Sequence, residues 1–111
     1  MRPINKKLLS LCPKNSFIMP LYIVSYDLNE KDSRTYKELY DALQSYPDWA
    51  HPLESTWMVS TDDTARELEE HLRHFLGQKD NLLVVEFKKD AGYWGWLSKT
   101  FWEWLKDRLK E

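Results

Sequence analysis

Cysteine is nearly missing from this chain of 111 residues: Cys12 stands alone. One thiol cannot close an intrachain disulfide, so nothing asks for an oxidising compartment, and a cytoplasmic location is expected. Histidine is scarce, with only His51, His71 and His74, so a structural zinc site is not expected. Three glycines are too few for any Gly-rich phosphate loop. No apolar run approaches the ~18 residues of a membrane-crossing helix, so no membrane span is expected. The net charge is only −2. That excludes a globally basic nucleic-acid binder and leaves room for a local basic patch alone.

Apolar and aromatic residues are plentiful, at 42% and 14% of the chain. This composition argues against disorder over the whole length. The length suits one domain, large enough to bury a real core. Charge is unevenly spread. Residues 1–18 hold Arg2, Lys6, Lys7 and Lys14 and no acid, whereas 19–111 hold 12 basic and 18 acidic residues. The early segment lacks both the apolar stretch of about 7–15 residues and the small-residue cleavage site of a secretory signal. Met19-Pro20 leads straight into a strand-like run. Met19 is therefore the expected true start, with 1–18 a basic, mobile extension and 19–111 the single domain.

Leu21-Tyr-Ile-Val-Ser-Tyr-Asp27 has the composition of a strand. Its alternation sends Tyr22, Val24 and Tyr26 to one face and Leu21, Ile23, Ser25 and Asp27 to the other. Asp32 or Ser33 can cap a helix at 33–45, whose stripe is Tyr36, Leu39, Tyr40 and Leu43. Pro47 closes it. Pro52 lacks an N–H, so the extended run around it belongs on a sheet edge, while Ser55–Ser60 reads as an inner strand. Thr64 and Glu67 have capping-box spacing. Ala65, Leu68, Leu72, Phe75 and Leu76 form the stripe of that second helix, with Gly77 as its stop. Asn81–Lys88 reads as a buried strand. Ser98 can cap a last helix striped by Phe101, Leu105 and Leu109.

The order is β-α-β-β-α-β and then a helix. Right-handed crossovers, each skipping one strand position, close this into an α+β, ferredoxin-like domain. Its four-stranded antiparallel sheet has spatial order 4-1-3-2. Both helices lie on one face, and the other face is too apolar to stay bare. Either the C-terminal helix or a second copy of the chain is expected to cover it, and a two-fold homodimer is the usual form of such self-association.

A first strand ending in Tyr26-Asp27, then His51-Pro-Leu-Glu-Ser-Thr-Trp-Met-Val-Ser60, an amphipathic helix and the apolar strand Asn81–Phe87 together resemble one superfamily. It comprises the small CRISPR-associated spacer-acquisition protein (Cas-two) and its VapD-like and SinR-like relatives. The likeness spans about residues 20–90, and the Gly-Trp-Leu and Trp-Glu-Trp-Leu motifs of the tail look closest to the SinR-like branch. The resemblance implies a ferredoxin-like homodimer. It also implies a magnesium-dependent endonuclease acting on RNA or DNA, or a structural bridge between protein partners. Carried over position by position, it implies Asp27 as the metal ligand, with Tyr26, Arg34 and Ser55 as further site residues. Trp57 and Met58 depart from the family's Ser-Val-Phe-Glu run, and Arg34 is the only arginine near the first strand. One carboxylate per chain is few for magnesium, which takes one or two with waters and phosphate; two copies of Asp27 about a two-fold axis meet that need.

Each of these residues also has a plainer reading. Asp27 can cap the turn that follows it, Arg34 can be a solvated surface cation, and Ser55 and Thr56 can be ordinary strand residues. Asp62 and Asp63 suit helix capping. His71 and His74 suit a helix surface, and His51 suits packing against Trp49. Lys88, Lys89 and Lys99 can simply aid solubility. Trp94, Trp96, Trp102 and Trp104 suit core or interface packing better than base stacking, because Asp90, Glu103 and Asp107 lie among them. A non-catalytic interaction module, such as a toxin–antitoxin partner, is the alternative function, and the acidic balance of 19–111 favours it.

Overall fold

The first strand, β1 (Leu21–Asp27), keeps the expected alternation: Tyr22, Val24 and Tyr26 are buried on one face and Asp27 is exposed. The computed structural model describes residues 19–29 and 33–109, and of residues 33–35 the backbone. The 1–18 extension and the cap expected from Asp32 or the Ser33 side chain lie outside the described residues. After β1 come α1 (Ser33–Gln44), β2 (Asp48–Leu53), β3 (Thr56–Ser60), α2 (Ala65–Arg73), β4 (Asn81–Phe87) and α3 (Lys99–Leu109). The strands form one sheet in the order β2-β3-β1-β4, every neighbouring pair antiparallel. That is the ferredoxin-like arrangement anticipated from the crossovers, with the C-terminal helix added. Pro52 does sit in an edge strand, and the β2–β3 register breaks between Ala50 and Leu53, on either side of it.

α1 and α2 pack on one sheet face. Leu39, Leu43, Leu68 and Leu72 are fully buried there against Val24, Trp57 and Val59. Burying each such side chain contributes about 1.5–3 kcal/mol. The capping box forms as spaced: the Glu67 N–H donates to Thr64 Oγ1 at 3.1 Å, and the Thr64 N–H to Glu67 Oε1 at 2.9 Å. Two details differ from the sequence reading. α2 ends at His74 in right-handed geometry, and no described glycine has positive φ. Gly77 is therefore no left-handed cap; its N–H donates to Asp80 Oδ2 at 2.8 Å. Nor do Asp62 and Asp63 supply the cap. Asp63 is buried, and its carbonyl accepts the Tyr22 hydroxyl at 2.7 Å.

On the opposite face α3 lies over the Leu21 end of the sheet. Phe101 and Leu105 bury against Leu21 and Met58, with Ile23, Ala50 and Phe87 at the margin. Ser98 caps the helix as expected, its hydroxyl accepting the Phe101 N–H at 3.1 Å. The far end is tied to β2. Arg108 donates to both Asp48 carboxylate oxygens at 2.5 and 2.9 Å, and Trp104 Nε1 to one of them at 3.3 Å. The guanidinium lies 4.4 Å from the Trp104 ring centre, a cation–π contact. About a quarter of each charged side chain stays exposed, so water screens the pair in part. Asp48→Ala is expected to cost about 1–2 kcal/mol in urea denaturation. Arg108→Ala should cost a similar amount, and the double variant less than the sum.

α3 does not cover the Asp27 end of that face. Leu83 and Val85 remain 60% and 44% exposed there. The tryptophans divide as well. Trp102 and Trp104 pack against the α3 cluster, whereas Trp94 and Trp96 are each 99% exposed. Core packing therefore holds for the helical pair and not for the loop pair, which sit outside any helix or strand.

Candidate functional site

Asp27 ends the central strand on the face that α3 leaves open. Its carboxylate is exposed, and among the described residues it has no hydrogen-bond or ion-pair partner. The following turn is held by another carboxylate. The Asn29 N–H donates to Asp80 Oδ1 at 2.6 Å, and Asn29 Nδ2 to the Lys79 carbonyl at 2.6 Å. The turn-capping role thus falls to Asp80 and leaves Asp27 available.

Pairing in the sheet decides what stands near Asp27. Asn81 is its direct partner across β4, and Ser25, two residues back on the same face, pairs with Leu83 on one side and Thr56 on the other. The Ser25 and Thr56 hydroxyls share a hydrogen bond at 3.2 Å. Asn81, with a hard carbonyl oxygen, was missed by sequence reasoning. The signal lay in the topology, since an antiparallel β1–β4 pair sets the last residue of one strand against the first of the other.

Tyr26 points the other way. It is buried in the helix-side core, where its hydroxyl donates to the Glu54 carbonyl at 3.2 Å and accepts Trp57 Nε1 at 3.0 Å. Burial, with a hydrogen bond to Tyr40, pushes its phenol well above the usual tyrosine range. It stays a protonated donor that ties β1 to the β2–β3 turn. Ser55 lies in that turn rather than in a strand; it is exposed, and its carbonyl accepts the Tyr26 N–H at 3.1 Å. The sheet thus brings Asp27 and Ser55 to one end and sends the Tyr26 phenol to the opposite face. The Arg34 side chain lies outside the described residues.

The histidines are engaged elsewhere. His51 stacks on Trp57 at 3.9 Å and 15°, rather than directly on Trp49, with Nε2 3.0 Å from the Glu54 carbonyl. His71 is half-buried, its Nδ1 hydrogen-bonded to the Tyr46 hydroxyl, so it is no simple surface residue. His74 is exposed, Nδ1 on the Glu70 carbonyl at 2.8 Å. Lys99 pairs with Glu103 at 4.0 Å. No group of three or more His, Cys, Asp or Glu forms a metal cage among the described residues.

No family model matches the chain. Among solved structures it is similar to a hypothetical protein, TT1823, from Thermus thermophilus, with a TM-score of 0.53 and 24% identity. The match covers 72% of this chain and 95% of that one. The likeness shows the fold. No helix among the described residues is long and apolar enough to cross a membrane.

Proposed function

We propose that the chain is a cytoplasmic homodimeric protein of the Cas-two, VapD-like and SinR-like superfamily, and a magnesium-dependent endonuclease acting on RNA or DNA. The observation that supports this is the Asp27 carboxylate, exposed and unengaged among the described residues at the end of the central strand. Beside it lies an apolar half-face, Leu83 and Val85, suited to a second copy. Asp27 from each subunit supplies the hard anionic oxygens that magnesium prefers, with Asn81 the nearest neutral oxygen by register. Magnesium held there supplies charge stabilisation on a scissile phosphate. Ser25, Ser55 and Thr56 at the same end can donate hydrogen bonds to phosphate oxygens. Tyr26 acts through the fold, by fixing the β2–β3 turn that carries Ser55.

The test is incubation of purified protein with RNA and with DNA, with magnesium and with a chelator. Cleavage that needs magnesium and vanishes in Asp27→Ala is expected. Cleavage that persists in the variant overturns the role of Asp27. Light scattering at micromolar protein is expected to give twice the chain mass, and a monomer mass overturns the two-subunit site. The second reading, a non-catalytic bridge or toxin–antitoxin partner, draws on one observation: residues 19–87 carry 6 basic and 14 acidic side chains, a poor surface for phosphate. No cleavage of either polymer under any condition favours that reading.

A further inference from the structure

Charge and exposed aromatic surface coincide in one region, the loop after β4 together with α3. Residues 88–111 hold 6 basic and 4 acidic side chains, against the acidic excess of 19–87. Within this region Tyr93, Trp94, Gly95, Trp102 and Lys106 line an open, mainly apolar groove of about 410 Å³. The Tyr93 and Trp102 rings lie near-parallel, 23° apart, with centres at 6.3 Å. A Cβ on Gly95 would stand 3.7 Å from the Trp102 ring, so a larger side chain there would fill part of the groove. Trp94 and Trp96, almost wholly exposed, offer flat π surfaces on either side of that glycine.

Lys106 stands one helical turn after Trp102, on the same side of α3. Its ammonium has no ion pair or hydrogen bond among the described residues. The neighbouring acids are occupied: Glu103 by Lys99 at 4.0 Å and Asp107 by Arg108 at 3.5 Å. A cation without an internal partner beside stacked and exposed rings is the chemistry that holds an unpaired base and its phosphate.

We infer that this groove binds single-stranded nucleic acid, with a base stacked on the Trp94 and Trp102 rings and a backbone phosphate on Lys106. The site needs neither metal nor Asp27. Leu21 pairs with Phe87 and Asp27 with Asn81, so the groove follows β4 at the end of the sheet opposite Asp27. Stacking is sequence-tolerant, since every base has a π face. Duplex ends its bases in pairs and should bind more weakly.

The experiment is fluorescence anisotropy of the full chain with a labelled oligothymidylate, and with a matching duplex, in chelator so that no cleavage intervenes. Tighter binding of the single strand is expected. Trp94→Ala and Lys106→Glu should each weaken it roughly tenfold. Both side chains are exposed, and circular dichroism should show the fold unchanged. Asp27→Ala should bind like the native chain even if it abolishes cleavage, which separates this site from the proposed metal site. Equal affinity for duplex, or for the two groove variants, overturns the inference. So does a third outcome, in which Trp94→Ala and Trp96→Ala convert a dimer to a monomer in sedimentation without changing oligonucleotide affinity. That result makes the loop a contact between two copies.

Discussion

Trp57→Ala is expected to cost about 3–5 kcal/mol, a large share of the roughly 5–15 kcal/mol that holds a domain of this kind. Trp57 has no exposed surface. It meets the edge of Tyr40 at 5.3 Å, lies under His51 at 3.9 Å and touches the Trp49 ring at 5.3 Å. Alanine leaves a cavity bounded by β1, β2, β3 and α1, and a sheet clamped on three sides closes poorly. The loss also strips the Tyr26 hydroxyl of its indole donor. Trp57→Phe helps separate the two effects: it keeps most of the ring volume and removes that hydrogen bond with part of the indole, for about 1–2 kcal/mol. Urea denaturation followed by circular dichroism measures both. Equal costs for alanine and phenylalanine would show that the indole hydrogen bond, rather than the packed ring, carries the stability.

Local signals were legible. The β1 alternation, the Thr64–Glu67 capping box, the Ser98 cap and the edge placement of Pro52 all follow from neighbouring residues, and all appear in the structure. Non-local partners were not. Asp80 takes over the turn after β1 from a position 51 residues away, which no local rule predicts. Asp48 and Arg108 meet across 60 residues. Trp57, a position with no special signal of burial in the sequence, becomes the largest fully buried side chain among the described residues, because a strand position facing both α1 and β2 can use a large ring. The tail aromatics share a composition but differ in backbone. Trp102 and Trp104 flank the Phe101–Leu105 stripe of a helix, whereas Trp94 and Trp96 sit in a loop without regular structure and are almost wholly exposed. Composition alone could not divide them. At the site, the position of Asp27 was legible from its strand, while its freedom from the turn depended on Asp80.

Asp27→Ala should separate function from folding as sharply as Trp57→Ala joins them. An exposed strand-end carboxylate with no partner among the described residues contributes little to the fold, so its removal should shift stability by no more than about 0.5 kcal/mol. Yet if it is the anionic ligand in each subunit, alanine removes both carboxylates of a dimer at once, and magnesium-dependent cleavage should be lost. Asp27→Asn sharpens the point. It keeps the size and one carbonyl oxygen but withdraws the charge, and magnesium discriminates strongly in favour of carboxylates. Cleavage should fail in Asn as in Ala, and raising magnesium should rescue Asn in part but not Ala. Asn81→Ala is the complementary variant: loss of a neutral neighbour across the strand pair should weaken magnesium binding and raise the concentration needed, rather than abolish turnover. Full activity in Asp27→Asn would mean that the charge is not used, and the metal site would then have to be sought away from the end of β1.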